Sequence, residues 1–257
     1  MSRRPADTAD MWDKAALETQ RIVSYFLLIV FAPVIYALFY WRYQFSAHEL
    51  SEVRRRYREI RQQHPGAMLL CTNHLTLIDS IVQGAILNSM GGYLMHVSAL
   101  PWNLPEFKNF NHSFIWRLTC YLGRCIPVTR GASREESQRA QDKMRYVLER
   151  GDIISIFPEG KRSRSGRVDD NDYSYASGAL LRMVPDATVL CVYLRGMKFG
   201  GFADWPNRSE RFFVDLEVIK PKSALKGLRE TRDLATQIVS QLKTMEDRFF
   251  ASPLAAR

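Results

Sequence analysis

Cysteine is scarce in this 257-residue sequence, and its few copies are not arranged as metal ligands usually are. The four cysteines, at positions 71, 120, 125 and 191, have no C-x-x-C spacing and no pair of histidines nearby. A zinc site or a disulfide framework is therefore not expected, and reduced thiols in a cytosolic domain are the simplest interpretation. The chain also has no P-loop, no internal repeat and no low-complexity linker, which excludes P-loop nucleotidases and repeat architectures.

Charged residues are absent from positions 22–41, a length close to the ~20 residues that a transmembrane helix needs. Arg21 and Arg42 bracket this stretch, and its aromatic residues suit a membrane interface. Pro33 leaves two arrangements open, a kinked single span or a re-entrant or monotopic helical hairpin; a buried core helix is a third. A signal peptide is not favoured, because the preceding segment is long and contains acidic residues. Residues 1–45 are thus predicted to anchor the protein to a membrane, and residues 46–257 to form one globular domain.

Acidic residues are too few to balance the basic ones, and the net charge is +9 with a pI of about 9.5. This excess favours an anionic partner, which is a nucleic acid, an acidic membrane or a phosphorylated substrate. Arginines cluster at positions 54, 55, 56, 58 and 61, just after the apolar stretch. Such a cluster favours the cytoplasmic side and anionic lipid, although a solvated helix face has the same pattern. No nucleic-acid-binding module accompanies it, so nucleic acid is not expected as a partner.

Short apolar runs alternate with helical patterns along the rest of the chain. Runs typical of strands lie at residues 67–71, 93–98, 123–131, 152–157, 188–196 and 212–219. Amphipathic helical spacing is found between several of them, including residues 110–122. The alternation predicts an α/β fold: a single domain with a central mixed, largely parallel sheet flanked by helices.

The stretch at residues 72–79 carries the first candidate chemistry. His74 follows the apolar run at residues 67–71 and precedes a helical pattern, so it is placed where a strand gives way to a helix. Asp79 lies five residues on, within reach of the imidazole. A carboxylate on one ring nitrogen fixes the tautomer and leaves the other nitrogen to take a proton from a hydroxyl. The same residues also fit a capping box with Thr76 as N-cap, and His74 is then an ordinary loop histidine.

Two further stretches place basic residues after predicted strands. Arg130 ends the run at 123–131, and its planar guanidinium suits bidentate pairing with phosphate. The turn Phe157-Pro158-Glu159-Gly160-Lys161-Arg162-Ser163 follows the run at 152–157. Its cations can surround an anion, Gly160 can adopt a positive φ, and Glu159 can bond an acceptor hydroxyl or orient the loop. A basic surface loop is the alternative.

Taken together, these stretches resemble three sequence blocks of the glycerolipid acyltransferases, the family of bacterial 1-acylglycerol-3-phosphate acyltransferase. His74 and Asp79 match the H-x4-D motif, Arg130 matches the arginine of the second block, and the turn matches F-P-E-G-T-R-S. Lys161 stands where the family usually has threonine, and the proline usual in a fourth block is missing around Cys191 and Val192. The resemblance covers roughly residues 65–200.

The resemblance implies a membrane-associated O-acyltransferase, in a bacterial-type inner membrane with its catalytic domain, residues 46–257, on the cytoplasmic side. The acyl chain would move from acyl-CoA or acyl-carrier protein to a lysophospholipid hydroxyl, most simply turning lysophosphatidate into phosphatidate. His74 is the implied general base and Asp79 orients it. Substrate binding falls to Arg130, Glu159, Gly160, Lys161 and Arg162. Membrane lipid is the expected partner, and neither a metal nor a bound cofactor is implied.

Three alternatives remain open. The acceptor can be a different hydroxyl lipid, since Lys161 and the fourth block depart from the family pattern. A thioesterase or lipid hydrolase can use the same histidine and aspartate to activate water. A non-catalytic membrane-binding relative is the third, although such a protein need not retain His74, Asp79 and Glu159.

Overall fold

The computed structural model describes residues 5–109, 111, 113–198 and 203–255. Its centre is a sheet of six strands: β1 (Ser46–Ala47), β2 (Met68–Thr72), β3 (Trp102–Asn103), β4 (Ile153–Ile156), β5 (Thr188–Gly196) and β6 (Arg211–Ile219). The strands lie in the order β1-β6-β5-β2-β4-β3. Only the β5–β6 pair is antiparallel among these described strands. The predicted α/β fold with a mixed, largely parallel sheet is confirmed.

Helices cover both faces of the sheet. They are α1 (Pro5–Ala37), α2 (Leu50–Gln63), α3 (Asp79–Leu87), α4 (Met90–Met95), α5 (Phe114–Leu122), α6 (Arg134–Glu149), α7 (Ala176–Met183) and α8 (Leu228–Ala251). Side chains of β2 alternate between the two faces, as strand geometry requires. Leu69 and Cys71 pack with α6, α7 and α8, while Met68 and Leu70 pack with α2 and α3. Burial on both faces explains why β2 reads as an unbroken apolar run.

Two predicted strands are wrong. Residues 93–98 lie in α4 and a following 3-10 turn (Val97–Ala99), because the Ser89 hydroxyl caps this short helix by accepting from the Gly92 amide at 3.0 Å. Residues 123–131 form no continuous strand, only isolated bridges from Cys125 to Asn103 in β3 and from Val128 to Glu106. The helix predicted at 110–122 begins at Phe114, while Phe110 and His112 lie outside the described residues.

The apolar N-terminal stretch is one continuous helix. Pro33 lies inside α1, which runs on into a π-helical turn (Leu38–Arg42). The helical hairpin considered from the sequence is therefore wrong, and so is the buried core helix, because most of the apolar stretch is not buried. Residues 11–42 are long and apolar enough to cross a membrane, by length and composition. Phe39 and Phe45, which belong to the predicted anchor, pack in the core beside β6. The predicted division between an anchor at residues 1–45 and a domain at residues 46–257 therefore stays a prediction.

Most of the arginine cluster on α2 is engaged within the domain. Arg54 donates to the carbonyls of Ala85 and Ile86, at 2.8 and 3.1 Å, in the last turn of α3. Arg56 and Arg61 also donate to backbone carbonyls, and Arg55 pairs with two glutamates of its own helix. This clustering therefore reflects packing of α2 against its neighbours, and it does not by itself indicate lipid binding.

Candidate active site

His74 lies two residues beyond the end of β2, at the carboxyl edge of the sheet. The intervening Asn73 extends the pairing with β5 through its side chain. Its amide group donates to the Leu194 carbonyl at 2.9 Å, and its oxygen accepts from the Leu194 amide at 2.7 Å. The backbone that carries His74 is therefore fixed to the central strands, although it has left the sheet.

The imidazole of His74 and the carboxylate of Asp79 form a close pair. The His74 Nδ1 and Asp79 Oδ2 atoms lie 3.0 Å apart, and the two side chains are 20% and 4% exposed. With Nδ1 as the donor to the carboxylate, Nε2 is left available as a proton acceptor. The spacing of five residues thus produces the geometry that general-base chemistry needs.

Asp79 also organises the loop between β2 and α3. Its Oδ2 accepts from the amides of Leu75 and Thr76, at 2.6 and 2.8 Å, and its Oδ1 accepts from the Thr76 hydroxyl at 2.5 Å. The contact from Asp79 to the Thr76 amide that the sequence suggested is present, but the predicted N-cap is wrong, because Ile78 and not Thr76 precedes the helix. The contact does not replace the one between Asp79 and His74. One carboxylate serves both purposes, because α3 begins at Asp79 itself.

The turn after β4 holds His74 in place from the other side. The Glu159 carboxylate accepts from the His74 amide at 2.8 Å, and the Ser163 amide donates to the His74 carbonyl at 2.8 Å. The Phe157 ring stacks on the imidazole, with centroids 4.1 Å apart and planes 17° from parallel. Two regions more than 80 residues apart in sequence are thus joined at the candidate base.

Glu159 is buried, and its contacts are those of an orienting residue. Its second oxygen faces the Asp169 amide at 3.4 Å. Burial raises the pKa of the Glu159 carboxyl to about 7, against the lowering effect of the His74 and Asp169 amides. Of the two roles that the sequence left open for Glu159, these contacts match loop orientation. Its predicted contact with substrate stays a prediction.

Gly160 has the positive φ expected from the sequence, at +67°. A β-carbon added here would lie 2.8 Å from the Ser174 β-carbon, so both conformation and space require glycine. The Gly160 carbonyl accepts from the guanidinium of Arg130. This contact brings the second and third sequence blocks together beside His74.

Each cation predicted to bind substrate is paired with a carboxylate. Arg130 contacts Glu106 at 2.7 Å, Lys161 contacts Asp172 at 2.5 Å and Asp169 at 3.3 Å, and Arg162 contacts Asp204. These pairs lie largely at the surface. The structure therefore gathers Arg130, Lys161 and Arg162 around one opening, with acidic partners that the sequence analysis did not identify.

A groove of about 2040 Å³ connects this opening to the N-terminal helix. His74 and the three cations line one part of it. Apolar side chains of α1 and α3 line another, among them Leu28, Phe31 and Ile81. A groove with a polar end and an apolar end suits an amphipathic ligand.

A comparison with known protein families identifies the family of this chain. The family model described as Acyltransferase matches residues 52–193, which is more than half of the chain. The chain belongs to the glycerolipid acyltransferase family. A search of curated proteins gave no match. The matched segment contains His74, Asp79, Arg130 and the turn after β4, so the candidate site of this acyltransferase lies in the part of the chain that the family shares.

Several residues that shape the acyltransferase site were missed in the sequence. Phe157 and Ser163 contact His74, and Asn73 ties the preceding backbone to Leu194. All three lie in or beside the recognised motifs, which was the available signal. Arg195, near the end of β5, is buried, donates to the Gly166 carbonyl at 2.5 Å and lies over the Phe250 ring. Within the described ranges, no three His, Cys, Asp or Glu side chains gather as metal ligands do.

Proposed function

We propose that this acyltransferase moves a fatty acyl chain from an acyl thioester, on CoA or on acyl-carrier protein, to a lysophospholipid hydroxyl. Lysophosphatidate is the simplest acceptor, and phosphatidate is then the product. The observation that carries the proposal is the His74–Asp79 pair at 3.0 Å, placed in a groove with both a cationic and an apolar end.

In the proposed reaction, His74 Nε2 removes the acceptor proton as the hydroxyl oxygen attacks the thioester carbonyl carbon. The carbon–sulfur bond then breaks, and the imidazolium returns the proton to the leaving thiolate. Asp79 stabilises the imidazolium without taking its proton, as buried carboxylates do in related triads. No acyl-enzyme is needed. Burial raises the pKa of the Cys71 thiol well above its usual range, so this neighbour is not a nucleophile.

The acceptor phosphate is proposed to bind Arg130, Lys161 and Arg162 by exchange with their present partners. The side chains of Asp172 and Asp204 are well exposed, and exposed ion pairs contribute only about 0–1 kcal/mol. A phosphate that offers more oxygens to the same cations can displace such partners. The held phosphate would bring its hydroxyl to His74 and make the reaction effectively unimolecular.

A different hydroxyl lipid is the second candidate acceptor. The observation that favours it is the same pairing, since carboxylates already neutralise all three cations. An acceptor without a phosphate monoester leaves those pairs in place. Family membership supports both acceptors equally.

The membrane is the proposed location, with the catalytic domain on the cytoplasmic side of a bacterial-type inner membrane. The apolar α1 supports membrane association. The four free cysteines, which include the neighbours Cys120 and Cys125, suit a reducing compartment. Membrane lipid would then be both the environment and the source of the acceptor.

The test is a transfer assay with detergent-purified protein. Acyl-CoA and acyl-carrier protein are each offered with lysophosphatidate and with a panel of phosphate-free hydroxyl lipids. Phosphatidate from the wild type and none from His74→Ala would support the main proposal and identify the donor. Product from phosphate-free acceptors alone would keep the chemistry and contradict the phosphate site. Free fatty acid with every acceptor refused would indicate a hydrolase instead.

A further inference from the structure

Helix α5 exposes an unusual amount of apolar surface for an element of nine residues. Phe114 and Ile115 are 75% and 72% exposed, and Trp116, Leu118 and Tyr121 are also exposed. Leu122 is the buried residue within this helix. Scattered apolar side chains are normal on a protein surface, but a helix with this many together indicates an interaction site.

The outward side of α1 carries a second apolar surface. Its exposed members recur every three or four residues, which places them on one face of the helix: Ile22, Phe26, Ile29, Val30 and Val34. This face belongs to the segment that is apolar and long enough for a membrane. The opposite face of α1 contacts the catalytic domain.

Polar side chains of α1 hold α5 against it. Gln20 donates to the carbonyls of Tyr121 and Cys125, at 2.9 and 3.2 Å, and Ser24 donates to the Tyr121 carbonyl at 3.3 Å. The Tyr121 carbonyl lies in the last turn of α5, and the Cys125 carbonyl lies three residues beyond the helix. The contacts fix α5 beside α1, so the exposed apolar groups of the two helices belong to neighbouring elements.

The contacts of α1 with the domain are too widely spaced for a helix that crosses a bilayer. Asp13 pairs with Arg139 at 2.5 Å, Arg21 pairs with the buried Asp152 at 2.9 Å, and the Tyr36 hydroxyl donates to the Asn88 carbonyl at 2.7 Å. Asp13 and Tyr36 are about 35 Å apart along the helix, more than the ~30 Å hydrocarbon thickness. A crossing α1 would therefore draw these polar domain groups into the bilayer, which is costly.

We propose that α5 and the outward face of α1 together form one lipid-binding surface, which rests in a single leaflet of a phospholipid membrane. The groove supports lipid as the occupant, because residues from both helices line it, including Leu28, Trp116 and Cys120. A lipid in that leaflet can enter the groove without passing through water. Arg117 on α5 and Arg42 after α1 are exposed cations that suit anionic headgroups. The inference does not depend on the proposed reaction.

The first measurement uses full-length protein in vesicles of phosphatidylethanolamine and phosphatidylglycerol. A nitroxide is attached at Ile115→Cys in a Cys120→Ser, Cys125→Ser background; Cys71 and Cys191 are buried. Collisions with oxygen report hydrocarbon, and collisions with a nickel chelate report water. We expect several-fold greater access to oxygen at position 115, and water-like behaviour at Leu228→Cys, where the native side chain is 84% exposed at the start of α8.

Two results would overturn the lipid surface at α5. Access to the nickel chelate equal to that at position 228 would place α5 in water. Shielding from both reagents would indicate a protein partner, such as a second copy of the chain. Intact thermal unfolding of the labelled variants shows that the substitutions leave the fold unchanged.

The second measurement asks whether α1 crosses. Met11→Cys and Arg42→Cys, at opposite ends of the apolar segment, are made in the same background and exposed to a membrane-impermeant maleimide in sealed vesicles. A single-leaflet helix predicts labelling of both positions from the same side. Labelling from opposite sides would show a crossing helix and overturn the proposal. Deletion of α1 is a poor substitute, because it would leave the buried Asp152 without Arg21.

Discussion

His74 and Arg130 line the same groove, yet their side chains are held in opposite ways. His74 is fixed by contacts at its ring, its amide and its carbonyl, and most of these partners are backbone groups or buried side chains. Arg130 is 66% exposed, and its ionic partner is the carboxylate of Glu106. Lys161 and Arg162 are 43% and 25% exposed, and each also pairs with a carboxylate that is well exposed.

The comparison distinguishes a group that must stay in place from groups that must exchange partners. Buried polar contacts are costly to break, because a group left without a partner pays its full desolvation penalty. Exposed ion pairs are weak and are screened by salt. The candidate base therefore has a fixed geometry, whereas the nearby cations can exchange a carboxylate for the anionic substrate that we propose.

The largest effect on the rate of acyl transfer is expected for substitution of His74, the residue whose position is fixed. His74→Ala should lower acyl transfer by about 10²–10⁴-fold, because general-base catalysis contributes that much. Initial rates with the accepted donor and acceptor measure it, and thermal unfolding should be unchanged. His96→Ala, at an exposed histidine outside the groove, is the matched control. Undiminished turnover by His74→Ala would remove His74 as the base.

A smaller effect on the rate is expected for Glu159, which holds the backbone of His74. Glu159→Ala removes the acceptor of the His74 amide and should lower kcat about ten- to hundredfold through misplacement of the ring. Glu159→Gln keeps an oxygen at that point and should restore most of the rate. A large rise in acceptor KM with Glu159→Gln, at unchanged kcat, would instead favour direct substrate binding by the carboxylate.

Substitution of Arg130, whose ion pair is proposed to exchange for the acceptor phosphate, should change only the affinity for the acceptor. Arg130→Ala should raise the acceptor KM about tenfold, as expected for one charge-assisted phosphate contact, and leave the donor KM and the thermal stability unchanged. Arg58→Ala, at an exposed residue of α2 that does not line the groove, provides a control for the loss of one positive charge. An acceptor KM that Arg130→Ala does not change would contradict the phosphate role of this residue.

The smallest effect should have the opposite sign. Asp172→Asn releases Lys161 from its shorter ion pair and should lower the acceptor KM about two- to threefold, since an exposed pair is weak. Added salt should reduce the difference from wild type, because it screens the Lys161–Asp172 ion pair, which the variant lacks. If the KM rises instead, Asp172 positions Lys161 for the acceptor and does not compete with it.

The arginines show why some of the predicted site depended on more than the sequence. A run of cations on α2 and the cations at residues 130 and 161–162 gave similar signals for anion binding. Arg54 proved to complete the end of α3, through carbonyls more than 30 residues away. The acidic partners of Lys161 follow it in the same loop between β4 and α7, whereas the partner of Arg162 is Asp204, 42 residues away. Spacing in the sequence does not reveal which surface a cation faces.

What the sequence determined by itself is local. The apolar run of β2, the five-residue spacing of His74 and Asp79, and the positive φ of Gly160 depend on periodicity, on reach along one or two turns and on the missing β-carbon. The α/β class followed from how such segments alternate. The short strand assignment at residues 93–98 was wrong because an apolar run of that length also fits a capped helix.

Only the tertiary structure decided which distant groups meet. It paired Asn73 with Leu194, joined the His74 backbone to Glu159 and Ser163, and left the apolar side chains of α5 exposed beside α1. Each of these outcomes depends on how helices and strands pack in three dimensions. The periodicity of a sequence determines contacts between residues that are close along the chain. Contacts between residues 80 or more positions apart depend on how the whole domain packs.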